Sequence, residues 1–582
     1  MTFRAPVREL AFALKTVGFE SLLEQGFADH DFETVEAILE AAGELSSEVL
    51  APLNRVGDTV GATYANGKVT PAPGFGQAYK AFADGGWTSL TAEPEHGGQG
   101  LPRAVALAVS EMVQSANMAF GLCPMLSLAA IEALSRHGTE RQKKLVLPKL
   151  VSGEWTGAMV LTEPQAGTDL AALTTVAKPD GEGGYRLYGQ KIFITWGDHD
   201  MTDNLVHLVI ARTPDAPPGV KGISLFLTSK KLIDENGGLG SLNDFRPISI
   251  EHKMGIHGSP TCVMLYDGAK AELVGELNQG LAHMFVMMNA ARLEVGVQGV
   301  AIAERAFQQA LAFSQERRQG RAVWSADASA MIYDHPDVRR TLMLTKAKID
   351  AARGICLLTG VLADLAKVAK TEAERAGAQA RQELLTPIAK AWSTDVGVEA
   401  ASAGVQVHGG MGFIEETGAA QYYRDARISP IYEGTNGIQA IDLSGRKLKM
   451  TNGATMRELI AEILVTAEAL TESPELTSVG RRLAAGGAAL QAATDWQLAH
   501  QGPDSLVSAT PYLKLAGDVI GGWMLGRQAL AAAGSDIPWL QAKAPLAKLY
   551  ASQVLAQAPG LAEGIMETLP EMAELAPEAL AG

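Results

Sequence analysis

The chain has 582 residues, of which 47% are hydrophobic and 20% charged, and a formal net charge of −16. Such a length exceeds one compact core and predicts three or four domains. The acidic balance excludes nucleic acid as the main partner, because phosphate binding needs basic surface. In chain order, residues 1–30 read as an extension, amphipathic from Val7 to Leu23. From Phe32 to about Leu150 apolar residues recur at helix spacing (Val35, Ile38, Leu39 and Ala42; Leu107, Val109 and Met112), which predicts a helical N-terminal domain over 31–155. Inside it the cluster Gly97-Gly98-Gln99-Gly100 follows no strand of a βα unit, so it reads as a loop rather than a phosphate cradle.

Over 156–275 the composition changes to short β-branched and aromatic runs (Tyr185 to Leu187, Leu205 to Ile210, Ile223 to Leu227) punctuated by Gly, Pro and Asp. This predicts a middle β-domain, too small and too purely β to be a dinucleotide-binding α/β unit. Helical periodicity returns over 276–450, a helical bundle domain that ends in the loop described below. Residues 451–582 form an additional helical C-terminal domain carrying seven basic and fourteen acidic residues. Its apolar content (Leu513, Val519, Ile520, Trp523, Leu525, Leu540) predicts a packed body rather than an acidic tail. Breaks are expected at Ser473-Pro474, Gly486-Gly487, Gly502-Pro503 and Gly521-Gly522. The fold class is therefore α+β multidomain.

Cys123, Cys262 and Cys356 lie far apart without metal-ligand spacing, so neither a disulfide framework nor a zinc or other metal site is expected. No basic-then-apolar leader and no run of about 18 uncharged apolar residues is evident, which predicts a cytoplasmic protein without a membrane span.

The segment with the clearest chemical promise is Arg424-Asp425-Ala426-Arg427-Ile428-Ser429-Pro430-Ile431-Tyr432-Glu433-Gly434-Thr435-Asn436. An apolar lead-in, Ile431 and Tyr432, is expected to hold the Glu433 carboxylate away from bulk water and tune it as a general base. Gly434 allows close approach of a reacting group and offers a backbone N–H. Taken alone, Glu433 reads more readily as a capping or salt-bridged carboxylate.

The run resembles the catalytic segment of the acyl-CoA dehydrogenases, and four further segments agree with it in family order. They are Met159-Val160-Leu161-Thr162-Glu163-Pro164-Gln165-Ala166-Gly167-Thr168-Asp169, Gly189-Gln190-Lys191-Ile192-Phe193-Ile194-Thr195, Glu251 to Ser259, and Gln406-Val407-His408-Gly409-Gly410-Met411-Gly412. The resemblance covers residues from about 30 to 450. It implies a noncovalent FAD held by the β-domain and the second helical domain, an acyl-CoA substrate, and Glu433 as the base that removes the α-proton while hydride passes to the flavin. It further implies that Leu161, Thr162, Gly167 and Thr168 contact flavin and substrate, that Phe193, Ile194 and Thr195 flank the ring, and that Thr435 and Asn436 touch FAD again. Arg317, Gln406, Gly409 and Gly410 would bind the ADP portion of a neighbouring subunit's FAD, which implies a homo-oligomer. Arg292 and Gly434 would join Thr168 in holding the substrate.

Some positions depart from the family pattern. Phe193 stands where tryptophan is frequent and Trp196 where asparagine is, so both also read as ordinary strand core residues. Asn289 replaces an acid three residues before Arg292, and Arg317 also reads as an exposed helix arginine. The extra C-terminal segment is similar to a longer bacterial subgroup whose substrates are 3-methylmercaptopropionyl-CoA and fatty or phenylalkanoyl thioesters, usually as dimers. The intact loop implies an electron-transferring flavoprotein as acceptor rather than oxygen, as in an acyl-CoA oxidase. The acidic C-terminal region argues against a nucleic-acid-binding relative.

Overall fold

A computed structural model describes residues 3–567 and 570–581. Chain order begins with helices α1 (Val7–Thr16) and α2 (Phe19–Gly26), then α3 (Phe32–Leu45), whose N-cap Asp31 accepts hydrogen bonds from the Thr34 N–H and hydroxyl. α4 (Asn54–Thr59), a hairpin of β1 (Thr63–Ala65) and β2 (Lys68–Thr70), α5 (Phe75–Asp84), α6 (Arg103–Ala116), α7 (Met118–His137) and α8 (Glu140–Val151) complete the N-terminal region. The hairpin interrupts what the periodicity reads as helix throughout. α7 is long and apolar enough to cross a membrane by composition, but 83% of its most apolar stretch is buried inside the protein, which makes it a core helix.

Strands β3 (Trp155–Val160), β4 (Val176–Pro179), β5 (Tyr185–Thr195), β6 (Asn204–Arg212), β7 (Ile223–Ser229), β8 (Lys231–Ile233), β9 (Leu239–Leu242), β10 (Phe245–Ile250) and β11 (Thr261–Val274) follow. Seven of them form one sheet in the order β10-β11-β5-β4-β6-β3, and β7 pairs with both β6 and β11. This closes a ring of five strands and leaves few free edges. β3 lies parallel to β6, Trp155 opposite Asn204 and Val160 opposite Val209. Val160, Leu187, Ile194, Val209, Phe226, Cys262, Met264 and Tyr266 fill the interior.

The remaining helices are α9 (Gly280–Glu316), α10 (Pro336–Val368), α11 (Glu372–His408), α12 (Ala419–Ala426), α13 (Asn436–Asp442), α14 (Ala454–Glu472), α15 (Thr477–Ala499), α16 (Ala509–Ala531), α17 (Lys543–Gln553) and α18 (Ala558–Ile565), with short helical turns between and after them. The chain divides into two compact units, one of Met1–Ala11, Phe27–Arg317 and Gly397–Ser429, the other of Phe12–Gly26, Arg318–Val396 and Pro430–Gly582.

In the second unit two of the expected helix breaks are absent. Gly486-Gly487 lies inside α15 and Gly521-Gly522 inside α16. These glycines serve close packing. A Cβ on Gly522 would stand 2.8 Å from Leu555, one on Gly521 2.9 Å from the Tyr550 hydroxyl, and one on Gly487 3.0 Å from Leu464. The breaks at Ser473-Pro474 and Gly502-Pro503 are present.

Candidate active site

In the first unit the loop after β3 meets the end of β5. The Ile192 N–H donates to the Thr162 carbonyl at 2.9 Å, and Glu163 and Ala166 exchange two backbone bonds that close a tight turn. Leu161 is buried, Thr162 half-buried, and Gly167 and Thr168 are exposed, with open space where a Cβ on Gly167 would lie. Neither the N–H nor the hydroxyl of Thr162 has a hydrogen-bond partner among the described residues.

β5 carries a bulge at this point. Cys262 of β11 opposes Ile194 and Met264 opposes Lys191, so Ile192 and Phe193 share a single partner position. The extra residue turns Phe193 outward, 58% exposed, at a φ of +59°. A left-handed aromatic costs on the order of 1–3 kcal/mol and persists only where its surroundings enforce it. Ile194 turns inward to the sheet core, so what it offers a ring is its backbone, and Thr195 is half-buried beside it. Trp196, also left-handed at +52°, is buried, stacks on Phe75 and donates its indole N–H to the Ala119 carbonyl. The two aromatic readings thus separate, with Phe193 displayed at the surface and Trp196 in the core.

Two buried side chains that motif reading passed over hold this edge. Lys191 Nζ lies 2.9 Å from Glu163 Oε1 and donates to the Leu161 carbonyl at 2.8 Å. Glu163 also accepts from the N–H and hydroxyl groups of Thr174 and Thr175 and from the Gln165 amide. Burial pushes the Glu163 carboxyl up, but the Lys191 ammonium and these donors more than reverse it, bringing it to about 2. Burial lowers Lys191 to about 8 against the pull of the carboxylate, so both carry charge at neutral pH. The signal available in sequence was a charged residue at an inward strand position.

A second group forms where the C-terminal ends of α9 and α11 pair, with the rings of Phe313 and His408 stacked 4.4 Å apart. Arg317 caps α9 one turn beyond Phe313, and Gln406, Gly409 and Gly410 are exposed around His408, Gly409 at a φ of +59°. Arg292 lies further back on α9, buried, its guanidinium 3.4 Å from the Asn289 amide oxygen and over the Phe285 ring.

α12 is anchored in this unit by ionic bonds. Arg424 pairs with Asp58 at 2.7 Å and with Glu415 at 2.8 Å. Its buried neighbour Asp425 accepts the Ile256 N–H at 2.5 Å, fixing a β-branched residue at a φ of +48°. Burial pushes the Asp425 carboxyl up to about 6, with the Asp58 carboxylate adding to it and the donors opposing.

In the second unit the loop from Pro430 is closed by a bond from the Asn436 N–H to the Pro430 carbonyl at 2.9 Å. Thr435 caps α13 with its hydroxyl, which accepts from the Ile438 N–H. The Asn436 side chain is spent on α11: its oxygen accepts from Lys390 Nζ and its amide donates to Ala391 O, Thr394 Oγ1 and Asp395 Oδ1. These bonds anchor the loop to α11. Glu433 is half-buried at a φ of +55° and Gly434 follows at +85°. Ile431 is 48% exposed, so the apolar lead-in does not by itself shield the carboxylate as the sequence suggested.

The unpartnered Thr162 donors, the open Gly167 and the displayed Phe193 suit a planar, hydrogen-bonding ring such as a flavin. Comparison with known proteins agrees. The acyl-CoA dehydrogenase N-terminal, middle and C-terminal domain models match residues 33–154, 158–269 and 278–448, and the acetyl-CoA dehydrogenase C-terminal-like model matches 455–576. A 3-methylmercaptopropionyl-CoA dehydrogenase of Ruegeria pomeroyi is 47% identical over 96% of this chain and 97% of its own. A Bacillus anthracis acyl-CoA dehydrogenase structure complexed with FAD shares the fold at a TM-score of 0.75 and 20% identity, covering 95% of this chain and 92% of that one. A structure described as an electron transferring flavoprotein of Acidaminococcus fermentans aligns at a TM-score of 0.59 and 27% identity, over 70% of this chain and 96% of that one. Three successive domain models over residues 33–448, together with a near full-length relative, establish that the chain belongs to the acyl-CoA dehydrogenase family, whose cofactor is FAD.

Proposed function

We propose that the chain desaturates 3-methylmercaptopropionyl-CoA to its trans-2-enoyl thioester, with Glu433 as the base. The observation carrying the substrate is the 47% identity that runs through nearly the whole of both chains, the C-terminal region included. Bound FAD supplies the acceptor for the hydride that leaves the β-carbon. The chain's residues supply the rest. Thr162 offers its N–H and hydroxyl to the ring, Phe193 covers the ring's edge, and Thr168 and Arg292 hold the thioester. The Glu433 carboxylate takes the α-proton as the Cα–Cβ double bond forms. Successive left-handed residues at 433 and 434 turn their N–H groups as a turn does when it cups developing negative charge, here on the thioester oxygen. Asn436 keeps that loop in register through α11.

Electrons leave to an electron-transferring flavoprotein, a reading supported by the Acidaminococcus relative. The working assembly is a homodimer in the cytoplasm. Gly409 and Gly410 sit beside exposed Met411, Phe413 (87%) and Ile414, a surface suited to a second copy and its FAD. Light scattering of the purified holoprotein checks this, a monomeric active enzyme being the adverse result.

Glu433→Gln is expected to retain FAD and the fold but to lose about 10²–10⁴-fold in turnover, with no anaerobic bleaching of the flavin by substrate. Near-normal turnover would remove Glu433 from the mechanism. Steady-state assays on thioether, butyryl and phenylpropionyl thioesters test the substrate: the thioether is expected to give the highest kcat/KM, and a higher value on either other thioester replaces it.

A further inference from the structure

We propose that Lys191 and Glu163 are positioning residues for the flavin, a buried ion pair that fixes the Leu161–Thr162 peptide so that its donors face the ring. The proposal rests on the reading above that Thr162 meets the flavin.

The geometry is over-determined. The Leu161 carbonyl is drawn to Lys191 Nζ at 2.8 Å and the Thr162 carbonyl to the Ile192 N–H at 2.9 Å, so both point toward β5. In a trans peptide the N–H opposes the C=O, and the Thr162 N–H is therefore directed away from Lys191. That N–H and the neighbouring hydroxyl are the donors left without partners among the described residues. A carbonyl that accepts from an ammonium polarises its own peptide, which strengthens the N–H at the other end as a donor.

The bulge contributes the rest. It alone allows Lys191 to point inward and Phe193 outward two residues later, and it frees the Ile192 N–H for Thr162. Glu163 is fixed on Oε2 by the N–H and hydroxyl of Thr174 and on Oε1, the oxygen that faces Lys191, by those of Thr175, so the ammonium has one place to rest. A purely structural link at a wholly buried site needs no charges, since packed apolar residues in place of a buried ion pair are often neutral or stabilising. The charges are accounted for if they orient a peptide toward a ring that gains negative charge on reduction.

The test uses the holoenzyme. Lys191→Met alone strands a buried carboxylate, so the main variant is the double Lys191→Met/Glu163→Gln, with Thr175→Val as a milder probe. In the double variant the FAD-bound protein is expected to favour oxidised over reduced flavin by a further tenfold, a midpoint about 30 mV more negative for a two-electron couple. The visible flavin band should shift, and kcat should fall with KM nearly unchanged. Thr175→Val should move the midpoint the same way by less. A folded double variant with wild-type midpoint and spectrum overturns the proposal, and so does a double variant that fails to fold while Thr175→Val keeps the wild-type midpoint. The midpoint is measured without acyl-CoA, so failure of the substrate reading registers separately, as absence of bleaching in the wild-type enzyme.

Discussion

Each unit of the molecule buries a carboxylate in an ion pair, and the two differ in what else surrounds it. Glu163 in the first unit has one ammonium, Lys191, and otherwise accepts from backbone N–H groups, hydroxyls and an amide within a dozen residues. Asp350 in the second has Lys346 and Arg353, each at 3.1 Å on its own helix, and Lys543 at 2.7 Å from 193 residues away. Lys543 also lies over the rings of Phe12 and Trp539, which meet edge to face. Burial raises Asp350, but its three cations hold it well below the usual carboxylate range. The first arrangement shapes a few residues of backbone, whereas the second fastens three distant chain segments together. The same chemistry is used once for positioning and once for assembly.

The comparison predicts opposite consequences for removing each charge. Asp350→Ala leaves three cations facing one another in the interior and is expected to cost about 3–5 kcal/mol. Denaturant titration measures this, with limited proteolysis following residues 451–582. The flavin midpoint should stay at the wild-type value, the reverse of the result expected for Lys191→Met/Glu163→Gln. An Asp350→Ala protein of wild-type stability would erase the distinction.

Asn436 stands between the two cases, a fastener that holds a catalytic loop. Asn436→Ala removes the oxygen that accepts from buried Lys390 and the amide that binds α11, for an expected loss of about 2–3 kcal/mol. Because Glu433 lies three residues earlier in a left-handed conformation, kcat should fall more than KM rises. Loss of stability with unchanged kcat would show that the loop keeps its shape without this anchor.

Much of this was legible in the sequence because it is local. Helix-spaced Val35, Ile38, Leu39 and Ala42 mark α3, β-branched runs mark β5 to β7, and the peptide segments around Thr162, Phe193, Gly409 and Glu433 carry their resemblance within a few residues each. What escaped depends on register or distance. Nothing local to Phe193 says that a bulge at Ile192–Phe193 turns it outward while Lys191 stays inward, and nothing near Asp350 points to Lys543. Gly486-Gly487 and Gly521-Gly522 read as breaks because glycine weakens helices, whereas their neighbours Leu464, Tyr550 and Leu555 need the space a Cβ would fill. Ile431 was expected to shield Glu433 on hydrophobicity alone, yet exposure is set by the fold around a residue.

A third buried carboxylate sharpens the comparison further. Asp425 has no ion pair among the described residues, and faces Arg424 and Asp58 while accepting from Ile256 and Gln421. Burial raises it from the ordinary aspartate value to about 6, so between roughly pH 4 and 6 the native state holds a proton that the unfolded chain releases. Stability contributed by this group is then present below pH 4 and declines as pH rises through 6, opposite in sign to Glu163 and Asp350. Asp425→Asn keeps an acceptor for the Ile256 N–H and removes the titration. The stability of the wild type minus that of the variant should fall by an amount on the order of 2 kcal/mol from pH 4 to 7, read from denaturant midpoints at each pH. Parallel curves would mean that Arg424 neutralises Asp425 after all, and the carboxylate would join the paired class represented by Glu163.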